Sequence, residues 1–264
     1  MIQDIKYSIE SAVHELIQRA WDTNNLSALL LIARGNMDIT ETTYVVDDIW
    51  DIFRWKTQER FYIHYLNKNY CKDGFLYQGE DGLDDLSIEM MIYSHIWASN
   101  DFLKTLYRLG EIFRGHSYSW KIDVDDFAFG KNNWMQSNVI APLEANSLQI
   151  SDFLKEAYCL PIRNAFAHAL YDINAENQKI TIYPKSGYYA LNFCEFQRKF
   201  LYSAYLINSL HNELMILHDQ YAQMNGCLTK PFIISEGVKC QLYGQLTQRG
   251  DDICPEFRIK KVFL

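Results

Sequence analysis

A mainly α-helical bundle, with a β-hairpin inserted late in the chain and a small β element at the C-terminus, is the architecture this sequence predicts. Three observations predict it. The 264 residues include only 12 Gly and 5 Pro, too few for a turn-rich β fold. Long stretches repeat apolar side chains every three or four residues, the helical period. Short β-branched or aromatic runs bounded by turn residues cluster near 171–191 and beyond 226. With 48% hydrophobic and 22% charged residues, the chain can bury a real core.

The elements follow in order. Ile5, Ile9, Val13, Leu16 and Ala20 space an amphipathic helix over 2–20. Asn24 and Asn25 can cap a second helix that stops at Gly35. The aromatic-rich segment from Thr43 to Asn67 meets no turn residue and reads as a further helix. Glycines and acids make 70–84 a loop. Asp84 or Asp85 then caps one long helix of about 85–114. Its seam is Ile92, Ile96, Ser99, Leu103, Leu106, Gly110 and Phe113, and Gly115 stops it. Lys104, Arg108 and Arg114 lie towards its C-terminal end, where cations suit the helix dipole.

Residues 116–131 are irregular, with a short strand expected at YSWKIDV, and a short helix follows from Asn132 to Ala145. Ser151 is expected to cap a helix reaching Leu170, with Pro161 kinking or restarting it. A hairpin comes next, with Ile180-Thr181-Ile182 and Tyr188–Leu191 as strands. A long helix spans Cys194 to Met224, with Phe196, Phe200, Ser203, Ile207, Leu210, Leu214, Leu217 and Tyr221 on one face. Short strands are expected near Pro231–Ser235, Lys239–Leu242 and Phe257–Phe263. The division expected is a helical extension (1–70), a bundle (71–225) and a β appendage (226–264) packed on it.

Charge and motifs narrow the function classes. A net charge of -8 argues against a broad nucleic-acid-binding surface but permits a local phosphate pocket. Cys71, Cys159, Cys194, Cys227, Cys240 and Cys254 contain no C-x-x-C pair, so no zinc or iron–sulfur signature is present. They are expected to be reduced, small buried hydrophobes. The N-terminal segment reads as neither signal peptide nor anchor, no apolar run reaches membrane-spanning length, and a cytoplasmic location is expected.

Phosphate-binding glycine loops and the serine-hydrolase elbow are absent. The acids from Glu80 to Asp85 fail the calcium-loop spacing. His211 and His218 are seven apart, which suits structural roles better than metal binding. His95 is expected to be buried and hydrogen-bonded. His116 belongs to a helix stop, and His14 and His64 show no obvious partner.

The segment LPIRNAFAHAL carries chemistry. Asn164 and His168 are four apart and share a helix face, and Arg163 can wrap towards the histidine. A histidine titrates near neutrality and can move a proton to or from an RNA 2′-hydroxyl or leaving oxygen. An arginine can grip the phosphate and stabilise the charge of the transition state. Asn164 can orient either partner. Lys179, Lys185, Arg198 and Lys199 lie near in sequence and could steer RNA, although a solvated surface is their default role.

The string Arg163-Asn164-Ala165-Phe166-Ala167-His168 resembles the signature of the HEPN superfamily, an Arg, a polar residue, a few apolar residues and a His. The resemblance covers roughly 85–224 and implies a HEPN-like helical bundle. It also implies a metal-independent endoribonuclease without cofactor, of toxin–antitoxin or phage-defence type. Arg163, His168 and Asn164 would be its catalytic residues, RNA its substrate and a homodimer its working form, the two motifs meeting in one cleft. An antitoxin or defence-complex partner is also implied. The alternative within the family is a catalytically inactive module that binds a protein, nucleotide or RNA.

Overall fold

The structure is a computed structural model that describes residues 2–33, 81–118, 122, 133–184, 187–233, 239–249 and 252–262. The expected helix at 43–67, the 70–80 part of the expected loop and most of the expected strand at 118–124 lie outside these residues. The protein is mainly helical with two small antiparallel sheets. Its helices are α1 (Ile2–Thr23), α2 (Asn25–Ala33), α3 (Asp81–Ile96), α4 (Asn100–Phe113), α5 (Ala141–Ala145), α6 (Ile150–Ala157), α7 (Leu160–Ala167) and α8 (Phe193–Ala222). A π-helical turn, Gln136–Ile140, leads into α5.

The long helix α8 is the centre of the molecule. Its expected stripe is buried from Phe196 to Leu214, but so are Leu201, Ala204, Tyr205 and Leu206 on other faces. Neighbours therefore surround it rather than flank one side. Helix α1 lays Ile9, Val13 and Leu16 into the same core and stacks Trp21 on Tyr221, with ring centroids 4.5 Å apart. His14, without an obvious partner in the sequence, meets Glu213 of α8 at 3.1 Å. One connected set of buried residues runs from Ile9 to Phe257.

Several expectations need correction. The helix expected over 85–114 is two helices, with a break at Trp97–Ser99. Ser99 caps α4, its hydroxyl accepting from the Phe102 amide. Trp97 turns inward and donates to the Ser203 hydroxyl at 2.9 Å. The apolar seam continues on both sides of this break, which is why periodicity alone reads through it. Helix α3 begins at Asp81, so Asp84 and Asp85 lie inside it rather than capping it.

Lys104 and Arg108, read as cations placed to suit the helix dipole, are buried. They follow Asp101 at three and then four residues and share its inward face. Arg108 also lies over the Tyr118 ring, 4.9 Å from its centroid. His95 is exposed, not buried. Cys194 and Cys227 are exposed and Cys159 half-buried, so of these thiols only Cys240 fits the expectation of burial.

Other signals hold. Asn24 caps α2 by accepting from the Ser27 amide at 3.0 Å. Gly115 ends α4 with φ +77°, and the His116 amide reaches back to the Glu111 carbonyl at 2.9 Å. Gly110 serves a close approach. A Cβ there would overlap the Asn138 carbonyl oxygen of the π-turn packed against α4.

The inserted sheet is a three-stranded meander of β1 (Tyr171–Asn174), β2 (Lys179–Ile182) and β3 (Tyr189–Asn192). Asn192 then opens α8 with a capping box closed by Glu195, a reciprocal pair of bonds at 2.8 Å each. The C-terminal sheet exceeds expectation. It comprises β4 (Gly226–Cys227), β5 (Phe232–Ile233), β6 (Lys239–Arg249) and β7 (Asp252–Lys261), with β6 paired to the other three. On the β6–β7 pair Leu246 and Ile253 are 49% and 69% exposed, so these apolar residues give no sign of a buried strand face. Among the described residues, no helix is long and apolar enough to cross a membrane.

Candidate functional site

The candidate site is built on α7, and the preceding break positions that helix. Pro161 stands in the first turn of α7, where its missing amide costs nothing. It restarts the helix after α6 ends at Ala157. The Ser151 cap expected for α6 is not formed. Ser151 lies within the first turn of α6, and its hydroxyl donates to the Leu148 carbonyl at 2.9 Å.

Tyr93 of α3 fastens the break. Its hydroxyl donates to the Ala157 carbonyl and accepts from the Cys159 amide, both at 2.8 Å. Two backbone groups that the break would orphan are thereby satisfied. Complete burial pushes the Tyr93 hydroxyl well above its ordinary pKa, and the nearby Cys159 adds to this. Burial likewise raises the Cys159 thiol, against an opposing bond from the Ile162 backbone and the charge of Lys199. Cys159 is thus held as a neutral thiol, the wrong state for a nucleophile.

Ile162 and Ala165 are the buried face of α7. The Arg163 carbonyl accepts from the Ser94 hydroxyl at 3.5 Å. The Arg163 guanidinium donates to the Asn164 side-chain oxygen at 2.8 Å, so these two predicted residues meet directly. The guanidinium also lies near enough to Tyr158 to oppose the rise that burial gives that hydroxyl.

His168 is the C-cap of α7 and is exposed to solvent. Its amide still bonds the Asn164 carbonyl at 3.1 Å, so the last helical turn closes on His168. The next residue, Ala169, is left-handed with φ +53°. The Ala169 amide bonds Phe166 and the Leu170 amide bonds Ala165, which is a Schellman closure made without glycine. That turn sends the chain into β1. The sheet docks back on α7 through the stacked pair Phe166–Tyr171, 5.5 Å apart, with Ile180 and Ile182 buried behind it.

The cations expected nearby divide. Arg198 and Lys199 both engage Glu156 of α6, Arg198 through its Nε at 2.9 Å and Lys199 through the Glu156 carbonyl at 2.7 Å. Lys179 is exposed on β2, and Lys185 lies outside the described residues. Among the described residues, no group of three or more His, Cys, Asp or Glu is placed to hold a metal ion. The Tyr93 fastening and the left-handed Ala169 were not read from the sequence. The first depends on a contact 66 residues apart, and the second occurs where the usual glycine signal is missing.

Comparison of the chain with protein-family models, with curated proteins and with solved structures finds no match.

Proposed function

We propose that this chain is a metal-independent endoribonuclease of the HEPN type, working as a homodimer in a prokaryotic toxin–antitoxin or phage-defence system. The observation that carries the reading is the Arg163–His168 string on one short helix. Arg163 and Asn164 are tied together, and His168 stands solvent-exposed at the helix end. The mainly helical surroundings, with a small sheet between α7 and the long helix α8, support it further.

The chemistry assigned is transesterification. The RNA 2′-hydroxyl loses its proton to a histidine, and its oxygen attacks the adjacent phosphorus. The bond to the 5′-oxygen breaks, and that oxygen leaves with a proton. The products are a 2′,3′-cyclic phosphate and a 5′-hydroxyl. In a dimer the His168 of one protomer and that of its partner act as base and acid, and Arg163 holds the charge that builds on the phosphoryl oxygens.

The test is incubation of purified protein with total RNA in EDTA. Cleavage is expected, with a loss of roughly 100-fold or more in His168→Ala and Arg163→Ala. Intact RNA after exposure to a well-folded dimer at high concentration would refute the reading. A catalytically inactive HEPN module is the second reading. The intrahelical Arg163–Asn164 bond favours it, since both polar groups then serve as a brace.

A further inference from the structure

The inserted sheet has a buried and an open face, and the open face holds an unusual row. The register pairs Tyr171, Ile182 and Tyr189 across the three strands, and likewise Ile173, Ile180 and Leu191. Ile180, Ile182 and Leu191 are buried, so these rows face the helices. The alternate rows face outward. One is Asp172, Thr181 and Ala190, and another is Asn174, Lys179 and Asn192.

The Tyr183 amide bonds the Leu170 carbonyl at 2.9 Å, which carries the register one pair further. The same outward face therefore continues with Leu170 and Tyr183, and Tyr188 stands immediately before β3, next to the last paired residue Tyr189. All three are large, apolar and exposed, at 45%, 47% and 76%. Leu170 is two residues beyond His168, so the row begins where the candidate site ends.

We propose that Tyr183 and Tyr188 form a stacking platform for the bases of a single-stranded RNA whose backbone passes His168. This inference rests on the ribonuclease reading and supplies what that reading lacks, a source of affinity. A chain of net charge -8, whose Arg198 and Lys199 already serve Glu156, has little phosphate attraction to spend on RNA. Base stacking on aromatic rings needs no positive charge and tolerates any sequence. Among the described residues the open face also carries the exposed cation Lys179, about 13 Å along β2 from Tyr183. Asp172 on the edge strand is the opposing charge between them. A base-paired RNA keeps its bases stacked internally and offers nothing to the tyrosines, so the platform selects single strands.

The probe is a fluorescent 2′-O-methyl oligonucleotide of mixed sequence and about 12 nucleotides, which has no free 2′-hydroxyl and cannot be cleaved by this chemistry. Its binding to the full chain is read by anisotropy, beside its duplex form. The single strand is expected to bind more tightly than the duplex. Tyr183→Ala and Tyr188→Ala should each weaken single-strand binding roughly tenfold, and the corresponding Phe variants should bind within about threefold of the parent. Cleavage of ordinary RNA by the parent is read separately from binding of the uncleavable probe, which separates the platform from the chemistry.

Unchanged binding in the double Tyr→Ala variant overturns the platform, whether or not the protein cleaves RNA. Normal tyrosine-dependent binding with no cleavage of RNA retains the platform and sinks the enzyme reading instead. If the Tyr→Ala variants dissociate a dimer by light scattering while single-strand binding per protomer persists, the row is a self-interface and the proposal is wrong.

Discussion

Replacing Ala169 by glycine tests whether the end of the motif helix is held under backbone strain. Ala169 sits at φ +53°, in the position that closes α7 directly after His168. The matching position at the end of α4 is Gly115, at φ +77°. Both ends make the same two closing bonds, Leu170 to Ala165 and Ala169 to Phe166 in one case, His116 to Glu111 and Gly115 to Ile112 in the other. For an L-residue the left-handed conformation costs about 1–2 kcal/mol that glycine does not incur. Glycine also frees the unfolded chain, which offsets about 0.4–1 kcal/mol. Ala169 is exposed, so loss of its methyl group sacrifices little packing. Ala169→Gly should therefore stabilise the protein by about 0.5–1 kcal/mol, a rise in Tm of about 1–4 °C for a chain of this size. Gly115→Ala should act oppositely and by a similar amount. Urea unfolding followed by circular dichroism measures both, with the slope m unchanged. If Ala169→Gly destabilises while Gly115→Ala behaves as stated, the left-handed geometry at Ala169 is not a source of strain and the reasoning fails.

The other predictions are shorter. Gly110→Ala should cost about 1–3 kcal/mol in urea unfolding, because its Cβ meets the Asn138 backbone rather than a side chain that can move; an exposed helical glycine would instead gain about 1 kcal/mol. Tyr93→Phe strands the Ala157 carbonyl and the Cys159 amide and should cost about 2–4 kcal/mol. Burial favours the neutral Tyr93 hydroxyl in the folded state, so its contribution is complete below a tyrosine's ordinary pKa of about 10 and is lost as pH climbs from there towards the raised folded value. A Tm series at alkaline pH should fall less steeply in Tyr93→Phe than in the parent. His168 is exposed, so His168→Ala should shift stability by less than about 0.5 kcal/mol while abolishing cleavage. A drop in Tm of several degrees would reassign the residue to a structural role.

What the chain discloses unaided depends on how local each signal is. Pro161, Gly115 and Asn24 act within one turn of their own position, and each does in the structure what its chemistry predicts. The apolar period of α8 is likewise local, and the Asn192–Glu195 capping box was available in the spelling N-x-x-E. Ser99 is the instructive failure. Its hydroxyl caps α4, yet apolar residues on either side hold the period across the break. Serine is compatible with a helix interior and with a cap, so only the turn of Trp97 towards Ser203 settles which it becomes.

The candidate site divides along the same line. Arg163, Asn164 and His168 lie within two turns of helix, so their proximity could be argued from spacing alone. The end of that helix at His168 could not, because the sequence signal for a left-handed stop is glycine and here the residue is alanine. The exposed Tyr183 was further out of reach. Tyr183 comes opposite Leu170 only through the register of four-residue strands, and that register depends on which face meets α7. Ile180 and Ile182 decide it, since a slip of one residue would bury Thr181 and Tyr183 and expose both isoleucines. The burial of two isoleucines is therefore what turns Tyr183 to solvent opposite Leu170, and replacing either isoleucine by a polar residue should disorder the proposed platform before it disturbs the helix bearing Arg163.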